Sequence, residues 1–138
     1  MLKDDLHAFI GRHKLAVLAT ATADGAPQAA LVGIAVTPDL EIVFDTLRTT
    51  RKARNLQENS SAALVIGCTE EITCQYEGVA TELSGDDLAK YKRTYFTAFP
   101  DGPTRESWPG ITYYVVRPRW IRFSDYTQSP PRIEEVRF

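Results

Sequence analysis

The sequence is poor in the residues that build metal and redox centres. Its 138 residues include two cysteines, Cys68 and Cys74, and two histidines, His7 and His13. The cysteines lack the Cys-x-x-Cys spacing of a zinc or dithiol site and read as reduced, partly buried thiols. His7 and His13 do not share a helical face well enough to hold a metal together, so surface or helix-end roles are expected and no metal is assigned. No dinucleotide fingerprint or phosphate loop is present. No Ser/His/Asp or Cys/His set is arranged for nucleophilic attack. Asp86-Asp87 reads as charge at a helix start rather than an acid–base pair. No catalytic residue is assigned on these grounds.

A dominant charge is missing too. The chain carries 16 basic and 18 acidic side chains, a formal net charge of −2. That argues against a nucleic-acid platform, which usually needs a basic surface. No apolar run approaches the ~20 residues of a membrane span. The start, Met1-Leu2-Lys3-Asp4-Asp5-Leu6, places acids where a secretory leader carries bases. A cytoplasmic protein with no membrane contact is expected. Hydrophobic residues make up 43% and charged residues 25%, the balance of an ordinary folded domain. A single domain over residues 1–138 is the expectation.

What is present reads as strands joined by short turns. Leu2, Leu6, Phe9 and Ile10 share one face of an opening helix that ends near Arg12. Leu15–Thr20 is a short apolar strand, and Asp24-Gly25 marks a hairpin turn. Gln28–Val36 is the second strand, Pro38-Asp39 a turn, and Leu40–Phe44 the third strand. Thr49 and Thr50 can cap a helix over Arg51–Glu58, with Ala53 and Leu56 toward the core. Ala62–Gly67 and Ile72–Leu83 are further strands. Ser84 with Asp87 resembles a capping box, opening a helix that aligns Leu88, Tyr91, Tyr95 and Phe99.

Pro100–Gly110 reads as a loop, and Ile111–Phe123 as the last strand. Simple alternation puts Ile111, Tyr113, Val115, Ile121 and Phe123 on one face of it, with Tyr114, Val116 and Trp120 on the other. A strand apolar on both faces needs cover on both; a closed barrel supplies one cover, and a ligand or second subunit the other. The tail after Ser129 reads as irregular. About six strands in hairpin order, with few helices, favour an antiparallel barrel over a parallel sheet.

Three stretches could carry chemistry. In Asp45-Thr46-Leu47-Arg48-Thr49-Thr50-Arg51-Lys52-Ala53 a strand ends and a helix begins. Arg51 and Lys52 stand at the positive end of the helix dipole, a poor place for cations unless an anion such as phosphate lies between them. Thr46 and Thr50 add hydroxyls. Spacing alone does not separate this reading from a solvated basic helix start. On Gln28–Ala35, Ala29, Gly33 and Ala35 face one way and Ala30 the other, leaving room for a flat ring or for close sheet packing. Gln75 is polar in a strand otherwise fit for burial, and could meet a ligand or solvent.

In order, Leu15-Ala16-Val17-Leu18-Ala19-Thr20, Asp24-Gly25-Ala26-Pro27, Thr46 with Thr50-Arg51-Lys52-Ala53, Gln75-Tyr76-Glu77-Gly78 and Pro118-Arg119-Trp120-Ile121-Arg122-Phe123 resemble the pyridoxamine 5′-phosphate oxidase-like FMN-binding split-barrel family. The resemblance spans residues from about 5 to 126 and rests on the ordered set, since no single motif is specific. It implies a mainly β fold, a six-stranded antiparallel split barrel with short helices. It also implies a homodimer with FMN sites at the subunit interface. Thr50, Arg51 and Lys52 map onto the phosphate-gripping segment, Thr46 onto the threonine before it. Gln75 is the nearest match to a polar residue that reaches the phosphate from the other subunit.

The tail Pro130–Phe138 departs from true pyridoxamine-phosphate oxidases, whose longer C-terminal part uses Arg and His to hold the substrate phosphate. The expectation is therefore an FMN-dependent oxidoreductase acting on another small molecule. The alternatives are a module that stores or senses FMN, or a relative that uses a deazaflavin or handles haem.

Overall fold

The computed structural model describes residues 2–138. The chain runs α1 (Leu2–Gly11), β1 (Leu15–Ala21), β2 (Pro27–Gly33), β3 (Ala35–Val36), β4 (Ile42–Leu47), α2 (Arg51–Glu58), β5 (Ser61–Ile66), β6 (Ile72–Glu82), α3 (Gly85–Ala98), a 3-10 turn (Gly102–Arg105), β7 (Ile111–Asp125) and β8 (Arg132–Arg137). The strands form one sheet in the order β2-β1-β5-β6-β7-β4-β3, with β8 also paired to β7. Every pairing is antiparallel. β7 organises the barrel. One edge follows β6 along most of its length; the other pairs first with β4, at Ile111–Val116, and then with β8, at Trp120–Asp125.

The inward residues of β1, β5 and β6 close on one another as period-two alternation requires. Leu18, Leu64, Tyr76, Phe44, Tyr114 and Ile121 fill the barrel, and Leu6, Phe9 and Ile10 of α1 and Leu56 of α2 join them. Each such side chain contributes about 1.5–3 kcal/mol when fully buried. Tyr76 is fully buried, and its hydroxyl donates to the carbonyls of Leu40, at 2.6 Å, and Val116, at 3.0 Å. Leu40 has φ +64°, in the left-handed region that a leucine rarely adopts. Burial of its side chain and the Tyr76 bond to its carbonyl hold it there.

The fold is the antiparallel split barrel expected, with eight strands rather than six. Two strands are additional because of local backbone events. The second strand is interrupted at Ile34: its amide extends the β1–β2 ladder by one bond to the Lys14 carbonyl at 3.0 Å, and from Ala35 the chain pairs with β4 instead. The tail read as irregular forms β8, alternating exposed and half-buried residues along the free edge of β7. Ser84 is the N-cap of α3, but its side chain makes no capping hydrogen bond, so the capping box is not formed.

The faces of β7 also differ from simple alternation. Glu77 pairs with Trp120 and Gly78 with Pro118, leaving Arg119 as an extra residue. A side chain at Gly78 would place its Cβ 2.3 Å from the Arg117 carbonyl oxygen, so only glycine fits beside this bulge. The bulge reverses the facing. Tyr114 and Val116 join Ile121 and Phe123 inside the barrel, while Tyr113 and Val115 point outward. That outward pair is covered within the chain by Tyr91 and Tyr95 of α3.

Candidate cofactor site at the start of α2

β4 delivers Thr46 to the rim of the barrel, buried and level with Thr112 of β7. The Thr46 and Thr50 hydroxyl oxygens lie 2.9 Å apart. Thr50 donates its proton to the Leu47 carbonyl at 2.9 Å and accepts the Ala53 amide at 3.3 Å, capping α2. Thr46 must therefore be the donor between the two hydroxyls. Both protons are committed, and the threonines fix the corner from which α2 starts.

That corner leaves two cations unpaired. Arg48 pairs with Glu82 at 3.2 Å, and the Arg54 guanidinium turns back to the Thr49 carbonyl at 2.9 Å. Among the described residues, Arg51 and Lys52 have no carboxylate within ion-pair distance. Arg51 is exposed and Lys52 half-buried. The amides of Arg51 and Lys52 are first-turn donors without an intrahelical acceptor, since Thr50 serves only Ala53 and Arg54. Two cations, two amides and the positive end of the helix dipole are the kinds of group that can hold an anion.

The C-terminal half of α2 is pinned by polar side chains that sequence reading passed over. Buried Asn55 donates to Thr20 Oγ1 at 3.0 Å and Gln28 Oε1 at 2.8 Å, fastening the helix to the β1–β2 hairpin. Gln57 donates to the Tyr114 hydroxyl at 2.9 Å. Glu82 accepts from Thr112 and Arg48; the Thr112 hydrogen bond first, then the Arg48 charge, hold its carboxyl below the usual range. Asp45, next to Thr46, accepts from Tyr95 at 3.0 Å and Arg105 at 3.1 Å, tying α3 and the 3-10 turn to β4. Burial, and then the Asp45 charge, push the Tyr95 hydroxyl pKa up, so it stays protonated and donates. The one sequence signal for Asn55 was its place beside Leu56 on the buried stripe of α2.

Gln75 is not brought to this corner within one chain. It is exposed on the outer face of β6 and pairs with Arg122, whereas Thr46 pairs with Thr112. The two positions on β7 are about ten residues, roughly 30 Å of strand, apart. Gln75 instead shares a row with Val65, Val17 and Leu31, whose side chains face outward. Leu15, Leu31 and Val65 on this face are 55%, 65% and 39% exposed.

The small residues divide between two uses. A Cβ at Gly33 would lie 2.9 Å from the Phe99 ring, and Ala35 is buried under α3, so both answer to helix packing. Ala29, Ala19 and Ala63 stay on the outer face. Ala19 and Ala63 help line a groove of about 340 Å³ beside Glu77 and Arg119.

The structure is thus an antiparallel split barrel with a basic, capped helix start at its rim. The family model for pyridoxamine 5′-phosphate oxidase matches residues 2–125, and the chain belongs to that family. Solved structures share the fold. A haem-binding protein from Mycobacterium smegmatis superposes with TM-score 0.85 at 19% identity, over 99% of this chain and 58% of that one. This chain thus spans less than two thirds of that protein's length. A pyridoxamine 5′-phosphate oxidase-related, FMN-binding protein from Nostoc punctiforme gives TM-score 0.65 at 13% identity, covering 99% and 93%. The haem storage protein HutZ from Vibrio cholerae gives 0.71 at 16%, covering 85% and 89%. No curated protein matches the sequence. Among the described residues, no helix is long and apolar enough to cross a membrane.

Proposed function

We propose that the chain is an FMN-binding flavoprotein acting as an oxidoreductase on a small molecule. The observation that carries this is the pair Arg51 and Lys52, unpaired at the capped start of α2 while their neighbours Arg48 and Arg54 are engaged. A phosphate there relieves the repulsion between the two cations and uses the free amides. Thr46 and Thr50 flank it. Bound FMN supplies the electron chemistry, and the chain's residues bind and orient it. A substrate other than pyridoxamine phosphate is favoured, because Arg132 of the tail is engaged by Asp5 and Glu134 rather than free for a second phosphate.

The working form in this reading is a homodimer. The exposed apolar row of Leu15, Leu31 and Val65 supports it, as does the separation of Gln75 from the α2 corner within one chain. Gln75 then comes to the phosphate from the partner subunit. The haem-binding relatives of the same fold support a second reading, in which the barrel handles haem. An absorption spectrum of the freshly purified protein decides between them. A flavin spectrum carries the first reading, and a Soret band carries the second. Bleaching by NADH or NADPH, with reoxidation by an added acceptor, separates an oxidoreductase from a storage or sensing module.

A further inference from the structure

A cleft of about 410 Å³ lies away from α2, between α1 and the C-terminal half of α3. That is the size of a small-molecule pocket. Its walls include His7 and His13, both histidines of the chain, which sequence reading had kept apart. Lys14 is the third polar group. Ile10, Ile34 and Val36 supply apolar surface. Acids outnumber bases 18 to 16 in the chain, yet among the described residues no carboxylate lines this cleft.

The basic groups are held in position. Lys14 donates from Nζ to the Ala98 carbonyl at 3.0 Å, bridging the segment before β1 to the last turn of α3. An ammonium has three donors, so two remain. His13 Nδ1 lies 2.8 Å from the Phe9 carbonyl. A carbonyl only accepts, so Nδ1 carries a proton, and Nε2 has no partner among the described residues. The ring is also braced against Phe9, with centroids 4.5 Å apart. Thr94 offers a hydroxyl from α3.

We propose that this cleft binds a small organic acid, its apolar body of about aromatic-ring size against Ile10, Ile34 and Val36, and its carboxylate turned to the free donors of Lys14, beside His7 and His13. This site is separate from the α2 corner and shares no residue with it. A cleft with the Lys14 ammonium at its wall and no carboxylate among the described lining residues favours an anion, and the apolar floor selects an organic acid over inorganic phosphate.

The test titrates 2-naphthoate and its neutral isostere 2-naphthamide into the full chain, by calorimetry or ligand-detected NMR. The acid is expected to bind at least ten-fold tighter, since hydrogen bonds to a charged group are each worth about that factor or more. The pair His7→Gln with Lys14→Met should remove most of the preference and leave naphthamide unchanged. Thr94→Tyr, which fills the cleft from α3, should abolish binding of both. Equal affinity for acid and amide, a preference that survives the double change, or unaltered binding in Thr94→Tyr would overturn the proposal. The probe has neither phosphate nor flavin, so the result stands apart from the FMN reading.

Discussion

Thr46 donates its hydroxyl proton to Thr50 across 2.9 Å, and Thr50 passes its own to the Leu47 carbonyl. This relay sets the angle at which β4 turns into α2, and Thr50 is also the N-cap of the helix. Thr50→Ala should therefore destabilise the protein by about 1 kcal/mol, the usual worth of an N-cap side chain. Thr50→Ser keeps the hydroxyl and should stay near the parent. Urea unfolding midpoints measure both. An alanine variant as stable as the serine variant would show that the cap contributes nothing.

The same corner predicts a split between two ligands. Arg51→Ala should weaken FMN about ten-fold or more, because a charge-assisted hydrogen bond of roughly 1.5–3 kcal/mol is lost. Riboflavin lacks the phosphate; it should bind the parent poorly and respond little to the change. Folding should persist, since Arg51 is exposed and without an ion-pair partner among the described residues. Calorimetry with both ligands on both proteins tests this, and equal FMN affinity would reduce Arg51 and Lys52 to a solvated helix start.

Leu31 is 65% exposed and pairs with Val17, which pairs in turn with Val65. If this row is the dimer face, Leu31→Asp places a charge in it and should yield a monomer by light scattering at micromolar concentration, where the parent is dimeric. Its melting temperature measures any separate effect on the barrel. A parent that scatters as a monomer would remove the dimer from the proposal.

Periodicity made the barrel legible where one face of a strand is buried and the other is not. β1 and β5 alternate cleanly, and α2 begins and ends where its threonine cap and Asn59 place it. Alternation failed at Arg119, because a bulge adds one residue and reverses every side chain beyond it. The apolar outer face of Tyr113 and Val115 consequently belongs to α3, and the case for a second subunit moves to Leu15, Leu31 and Val65. The basic corner at the start of α2 was visible because bases at a helix start are anomalous. Glu82, Asn55 and Asp45 were not visible, since what marks them is a partner distant in sequence. The tail became β8 through pairing along β7, which its own short alternation did not reveal.

The cysteines predict a two-step thiol titration. Cys74 is buried in the core, and burial pushes its thiol pKa up to about 12. Cys68 is exposed, and both thiols are free. A thiolate-selective reagent at pH 8 should modify about one thiol per native chain and both after unfolding in urea. Cys68→Ser should abolish the native reaction. Fast modification of Cys68→Ser in the native state would place Cys74 at the surface instead.

Glu82 makes part of the stability depend on acid. Its carboxyl accepts from Thr112, Arg48 and Gln57, so its folded pKa lies below the unfolded reference of 4.5. A depressed carboxyl stabilises the fold fully above the unfolded pKa, and that contribution drains away as pH falls through the folded value. The slope of unfolding free energy against pH should therefore be positive below about pH 4.5. Glu82→Gln removes this titration. The variant should be less stable than the parent at pH 7, and the gap should narrow steadily as the pH is lowered toward 3. Denaturant titrations across that range measure it. A gap that stays constant from pH 7 to pH 3 would mean that Glu82 acts through packing and hydrogen-bond count alone, with no part of its role carried by charge.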